Sequence, residues 1–399
     1  MKALLICYFV VSSFVLFSQF EDENKPVTVF GGTGIIATNA AGQFGVISAN
    51  GKELIPFVYS RIIENNLGLF VFKINKSNGY ERSYSLGYYN KQFRQILPCQ
   101  YNSLLVLDEG YLIASQNSDR KFGLIDTIGR IIIPFEYEEM VAPSEGLYLT
   151  KLKGKYGFIN KKNHIVIDHK FTYASPFSEG LAAASKNGLI GYINRKGDFE
   201  IKEQFSSADD FNYGYAQVFF HNQTSVIDKN GVILFPFIFR SIHAVGNGQF
   251  VFEAGNNLRN NITSTLPKLG IAQHPDELNQ YDSLVSSMDS EIDSETLEEK
   301  FMGILDLSGH LIGGNEFQQV IQLISEGEKQ LYAVQRKANN EDNDSKSYHF
   351  ALMDGSGKLL TDFRFFEVKP EEKIVIEETE EKGIVSYRTA IDGKLTPVN

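Results

Sequence analysis

Tryptophan is absent from all 399 residues, and only two cysteines occur. One of them, Cys7, lies in an uncharged apolar stretch from Ala3 to Phe17, preceded by Lys2 and followed by Ser18, Gln19 and the acidic Glu21, Asp22 and Glu23. This N-terminus is expected to be a cleaved secretory signal peptide over residues 1–19. The stretch is short for a bilayer span, which takes about 20 apolar residues. Cys7 also lacks the small residues that precede a lipidated cysteine. Cleavage leaves Cys99 alone, which excludes an internal disulfide even in an oxidising compartment, so stability is expected to come from packing. No other segment is apolar enough to cross a membrane, and a membrane-tethered sensor would require residues 1–19 to be retained. Positive charge is scarce too: 38 Lys and Arg face 49 Asp and Glu, a formal net charge of −11. Loss of Lys2 with the signal peptide makes the mature chain more negative still. Such a surface repels phosphate backbones, so nucleic acid is not an expected partner. No GxSxG, HExxH or phosphate-binding loop occurs.

What is present is a repeat. A small residue recurs at Gly45, Gly87, Gly123, Gly157, Gly191, Ser225, Gly303 and Ala351. Two positions later stands an apolar or aromatic residue, and one further on come Ser48, Asn90, Asp126, Asn160, Asn194, Asp228, Asp306 and Asp354. Fourteen residues after each anchor all eight copies carry an aromatic: Tyr59, Tyr101, Tyr137, Phe171, Phe205, Phe239, Phe317 and Phe365. The pattern reads as an alternating strand, a turn in which Asp or Asn bonds its own backbone, and a second strand ending near Pro56, Pro98, Pro134 or Pro236. The aromatic that follows is expected in the core, at about 1.5 to 3 kcal/mol per buried side chain. Gly68, Gly110, Gly146, Gly180, Gly214 and Gly248 each lie 23 residues after an anchor and open a third strand. Because that distance is constant while anchor intervals run from 34 to 78 residues, insertions fall between the third strand and the next anchor.

Here the residues resemble a family, the WG-type β-repeat proteins of bacteria. Phe122, Gly123, Leu124, Ile125, Asp126, Thr127, Ile128 and Gly129, leading to Pro134 and Tyr137, carry the likeness best, with 156–171 and 190–205 behind them. It covers residues 42–366, and Phe, Tyr, Leu, Ile, Thr or Met stands where the family's tryptophan would. The resemblance implies a β-repeat array with interaction roles and no defined reaction.

Four features have the look of sites. Val27 to Ala37, with Gly31, Gly32 and Gly34, looks like a dinucleotide-binding turn, but no helix follows and residues 42–59 are already a hairpin. A capping strand is expected instead, with no cofactor. The Asp/Asn turn column resembles a calcium array only superficially, since Ser48 and three Asn replace Asp, and no metal is expected. The seven histidines lack ligand spacing: His164 and His310 share an exposed position beside the turn, and His164 and His169 face opposite sides of a strand. Cys99 fills a position taken by Phe57, Phe135, Phe237 and Phe363, and reads as a buried small hydrophobe.

The expected architecture is all-β: a tandem array of three-stranded units, an open twisted β-solenoid, with a propeller-like closed ring as the alternative. The signal peptide at 1–19 is followed by a capping strand segment at 20–41, repeats one to six at 42–254, an acidic and partly helical insertion at 255–300, repeats seven and eight at 301–366, and a degenerate capping unit at 367–399. In the insertion, Leu278, Tyr281, Leu284, Val285, Met288 and Ile292 recur at helical spacing. Smaller excursions, Lys73 to Tyr84 and Gln335 to His349, lie at the equivalent junction. Tyr80, Arg82, Tyr84, Tyr281, Leu284 and Met288 are the expected binding residues. The expectation is a non-enzymatic binding or scaffolding module, periplasmic, cell-surface or secreted, recognising protein or glycan. An exported glycoside hydrolase with carboxylates assembled in three dimensions is the alternative. Oligomeric state is left open.

Overall fold

The structure, a computed structural model, describes residues 26–75, 83–107, 110–116, 120–220, 223–255, 300–336, 349–379 and 383–398. The expected helix at 278–292, and with it Tyr281, Leu284 and Met288, lies outside the described residues, as do Tyr80 and Arg82. The described chain is built from antiparallel strands joined in sequence order, with no α-helix among the described residues. It forms two compact units. One comprises Met1–Ala142, Thr150–Lys153 and Ile159–His164; the other comprises Pro143–Leu149, Gly154–Phe158 and Ile165–Asn399.

The first unit opens with a four-stranded sheet of Val27–Val29, Gly34–Thr38, Phe44–Ile47 and Glu53–Tyr59. The glycine-rich turn is a short 3-10 segment, Phe30–Gly32, that returns the chain into an antiparallel strand rather than a helix. A seven-stranded sheet follows, running from Arg61–Glu64 to Ile131–Tyr137. Its central strand, Gln95–Val106, is twelve residues long and belongs to two successive repeats at once. In the second unit, Tyr173–Ala174, Ala182–Ser185, Ile190–Ile193 and Phe199–Phe205 form a four-stranded sheet. Three strands from Ser207–Ala208 to Gln223–Asp228 form the next, six strands from Ser241–Gly246 to Phe350–Asp354 the third, and Glu367–Lys369 to Leu395–Pro397 a closing four-stranded sheet.

The repeat therefore has four strands, which corrects the three-stranded unit expected from sequence. The additional strand is only two residues long in its regular form, as in Glu139–Met140, Tyr173–Ala174 and Ser207–Ala208, and directly follows the buried aromatic. Two residues cannot display an alternation, so no periodic signal marks it.

All eight repeat aromatics are buried, none more than 5 % exposed. The anchor glycines are required by space. A Cβ at Gly45, Gly87, Gly123, Gly157 or Gly191 would stand 2.4–2.8 Å from the carbonyl oxygen ten residues on, where a bulge presses the second strand onto the first. At Gly303 the same Cβ would meet the ring of Phe252 at 2.6 Å.

The turn residue behaves alike in seven of the eight copies; in the first, Ser48 Oγ accepts the Lys52 N–H at 3.1 Å. Asp126 Oδ1 accepts the N–H groups of Ile128 and Arg130 at 3.0 and 2.8 Å; Asn160 and Asn194 repeat the pattern, as do Asp306 and Asp354. This is a side chain closing its own turn, with glycine such as Gly129 (φ 86°) at the left-handed corner. Burial opposes ionisation of Asp126, Asp306 and Asp354, but the hydrogen bonds they accept, foremost from Arg130, the His310 N–H and the Ser356 hydroxyl, prevail and hold all three carboxyls below the ordinary range.

Candidate functional site

Three structural features could carry function, and each arises from the repeat. The first is the junction that accepts insertions. Gly68–Asn75 and Ser83–Asn90 are eight residues each, against four for Ala182–Ser185 and Ile190–Ile193, so the second repeat extends its hairpin. Tyr84 lies directly opposite Ile74 across this hairpin, and both are exposed. Tyr84 is thus the one expected binding residue whose surroundings are described. On the opposite face, Lys73 sits 5.4 Å from the Tyr59 ring, and Tyr59 and Tyr89 share a buried 2.8 Å hydrogen bond. Cys99 is half-buried beside them, its thiol pushed up by burial and pointing at the Val71 carbonyl. It is held as a packing residue.

The second feature is a polar repeat position at the short strand that follows the buried aromatic in the second unit. Ser175, Asp209 and His243 occupy one repeat position, 34 residues apart. Ser175 Oγ accepts the Ala183 N–H at 3.1 Å and donates to Asp210 Oδ1 at 2.6 Å, tying one sheet to the next. The Tyr192 hydroxyl donates to the Asp209 carbonyl at 2.7 Å. Gln217 links the following step: its carbonyl accepts the Asp209 N–H and its side-chain oxygen the Ile242 N–H. Burial raises the carboxyls of Asp209 and Asp210, and for Asp209 the adjacent Asp210 charge adds to it. Burial likewise depresses His243. Neither aspartate makes an ion pair among the described residues. No three His, Cys, Asp or Glu side chains among the described residues are placed to hold a metal ion.

The third feature is a clamp between successive repeats. Ser144-Glu145-Gly146-Leu147 recurs as Ser178-Glu179-Gly180-Leu181. Each forms a tight turn with positive φ at both central residues, 50° and 80° in the first, 52° and 90° in the second. A left-handed glutamate costs about 1–2 kcal/mol, and its side chain is aimed at the neighbouring repeats. Glu145 accepts the Gly180 N–H at 2.9 Å and pairs with Arg195 at 2.9 Å, while Ser144 Oγ donates to the Phe177 carbonyl. Glu179 accepts the Gly214 N–H at 2.9 Å and pairs with Lys229 at 3.1 Å, while Ser178 Oγ donates to the Phe211 carbonyl. Sequence reasoning missed this clamp, although two signals carry it: the recurring Ser-Glu-Gly-Leu, and a cation 50 residues after each glutamate.

No curated protein is similar in sequence. Among solved structures, similarity is weak. A streptogramin B lyase is 13 % identical over 59 % of this chain and 91 % of its own, with a TM-score of 0.28. The WD40 β-propeller domain of Doa1 is 13 % identical over 55 % of this chain and 85 % of its own, with a TM-score of 0.24. A dihydro-heme d1 dehydrogenase, NirN, is 10 % identical over 86 % of this chain and 75 % of its own, with a TM-score of 0.32. A family model for the WG containing repeat matches five times, at residues 44–76, 87–118, 122–156, 156–189 and 190–222. All five have the glycine anchor and the buried aromatic described above, and four of them the Asx turn, with Ser48 in its place in the first. Residues 44–222 are thus a run of WG containing repeats.

Proposed function

We propose that the chain is an exported, non-enzymatic binding or scaffolding module of the cell envelope, recognising protein or glycan through the side that bears its insertions. The observation that carries this reading is the contrast between an Asp or Asn turn held in seven of eight copies and a single junction at which length varies. Loops at such a junction vary without disturbing the packed sheets, because closure entropy rises slowly with length. The second strands of the repeats offer little alternative. At the same register they carry Pro56, Pro98, Pro134, Asp168, Lys202, Pro236, Gly314 and Asp362, residues that block or discourage strand addition. A four-stranded meander is the form of a propeller blade, and it supports the ring-like alternative for the array over the solenoid.

The test is capture from the native envelope with the full mature chain and with a variant lacking residues 256–299. Loss of captured protein or glycan in the variant is expected; equal capture by both would overturn the insertion reading. A hydrolase is the second reading, favoured by the raised carboxyls of Asp209 and Asp210. Oligosaccharide cleavage by the chain, lost in Asp209→Asn or Asp210→Asn, would replace the module with the enzyme.

A further inference from the structure

The clamp has a third position, and it is built from different chemistry. Where Glu145 and Glu179 stand, the next repeat carries Tyr213; where Arg195 and Lys229 stand, four residues after their anchors, it carries Leu307, four after Gly303. Both members of the ion pair are replaced together by uncharged side chains. The two still meet the same turn. A Cβ at Gly246 would lie 3.6 Å from Tyr213 Cδ1, and a Cβ at Gly248 would lie 2.8 Å from Leu307 Cδ1. Gly246, Asn247 and Gly248 all have positive φ, 96°, 54° and 66°. The turn is therefore a floor with no side chain of its own at either end, met by Leu307 at Gly248 and, at Gly246, by Tyr213 together with the Gln330 amide and the Ser325 hydroxyl.

This arrangement faces water. Tyr213 is 48 % exposed and Leu307 53 % exposed. The Tyr213 hydroxyl and the Asn247 side-chain amide have no hydrogen-bond partner among the described residues. Tyr213 also holds its backbone at φ 55°, which is uncommon for a bulky side chain.

We propose that Tyr213, Asn247 and Leu307 form a binding site for one pyranose ring of a neutral glycan. Three observations fix the class of ligand. Two apolar side chains around a glycine floor offer far less than the roughly 800 Å² per partner that a stable protein interface buries. Neither Tyr213 nor Leu307 offers a charge to a ligand, in a chain whose net charge is −11, so the ligand is uncharged. An aromatic face beside an unpaired hydroxyl and an unpaired amide matches a sugar ring, which has a C–H face to stack and hydroxyls to bond. The site rests on the reading of the chain as a binding module and narrows its partner to glycan.

Titration calorimetry of the full mature chain with maltohexaose, cellohexaose and chitohexaose tests it. At least one of the three is expected to bind, with affinity falling about tenfold or more in Tyr213→Ala. The double variant Tyr213→Glu with Leu307→Lys rebuilds the ionic clamp, so it is expected to melt no lower than the parent and to lose binding. Absence of binding by all three sugars, or undiminished binding by the folded double variant, overturns the proposal. The two readings fail separately: a chain lacking residues 256–299 that captures as before sinks the insertion reading, and its sugar affinity is expected to be unchanged.

Discussion

Repeats anchored on glycine and repeats anchored on Ser225 or Ala351 differ at one side chain, and the difference appears in the strand that faces it. Behind Gly123 and Gly191 the second strand pairs over Ile131–Tyr137 and Phe199–Phe205. Behind Ser225 it makes only two isolated bridges, Thr224 to Phe239 and Ile227 to Ile233, and behind Ala351 only Phe350 to Phe365 and Met353 to Leu359. A Cβ would collide with the carbonyl ten residues on, so the facing segment lifts away. In the serine copy, the Ser225 hydroxyl donates to that same carbonyl, of Phe235. The anchor glycines are thus selected for volume and not for backbone conformation, since none of Gly45, Gly87, Gly123, Gly157, Gly191 and Gly303 has a positive φ. The family model's matches end at residue 222, just before the first altered anchor.

The comparison can be broken most forcefully at the aromatic that both kinds of repeat retain. Phe205→Ala should lower unfolding free energy by about 3–5 kcal/mol, and Phe239→Ala by a comparable amount, in urea melts, because both rings are buried whether or not the strand is paired. Gly191→Ser should convert a paired repeat into a lifted one at about 1–3 kcal/mol. Amides of Phe199–Phe205 should then exchange faster, while Ser225→Gly should leave exchange at 232–239 unchanged or slower. Removing the turn acceptor in Asp126→Ala should cost about 1 kcal/mol, whereas Asp126→Asn should be nearly silent because Asn90, Asn160 and Asn194 already fill that role. The smallest effect belongs to the clamp: Glu179→Gln should cost about 0.2–1 kcal/mol and lose its effect in high salt, since both partners are partly solvated.

Acid distinguishes the carboxyls by sign. Asp126, Asp306 and Asp354 are depressed, so their stabilisation is present above the unfolded carboxyl value of about 3.9 and is lost as pH falls through their lower folded values. Asp209 and Asp210 are raised, so their contribution is present below about 3.9 and is lost as pH rises through their folded values. The double variant Asp209→Asn with Asp210→Asn should therefore melt higher than the parent at neutral pH and show no such gain in acid.

Much of the repeat was legible in the sequence. The turn acid, its glycine and the aromatic 14 residues after the anchor each answer a local demand, and local demands recur at fixed spacing. The two-residue strand was not legible, because Tyr173–Ala174 is too short to show a period. The clamp was hidden for another reason: Glu179 and Lys229 are 50 residues apart and meet only once the sheets stack. The polar repeat position of Ser175, Asp209 and His243 changes residue type at every step, so no motif search finds it.

The long strands Gln95–Val106 and Leu311–Glu326 pass unbroken from one repeat into the next. At Ser206, by contrast, the chain leaves one sheet and enters another between Phe199–Phe205 and Ser207–Ala208. Copy number therefore has preferred places to change. A gene duplication or deletion cut near Ser206 inserts or removes a whole sheet and leaves its neighbours intact. The same cut inside Gln95–Val106 severs a strand that two repeats of one sheet share. Repeats joined by a common strand are expected to be gained, lost and unfolded as pairs, and those joined at short strands one at a time.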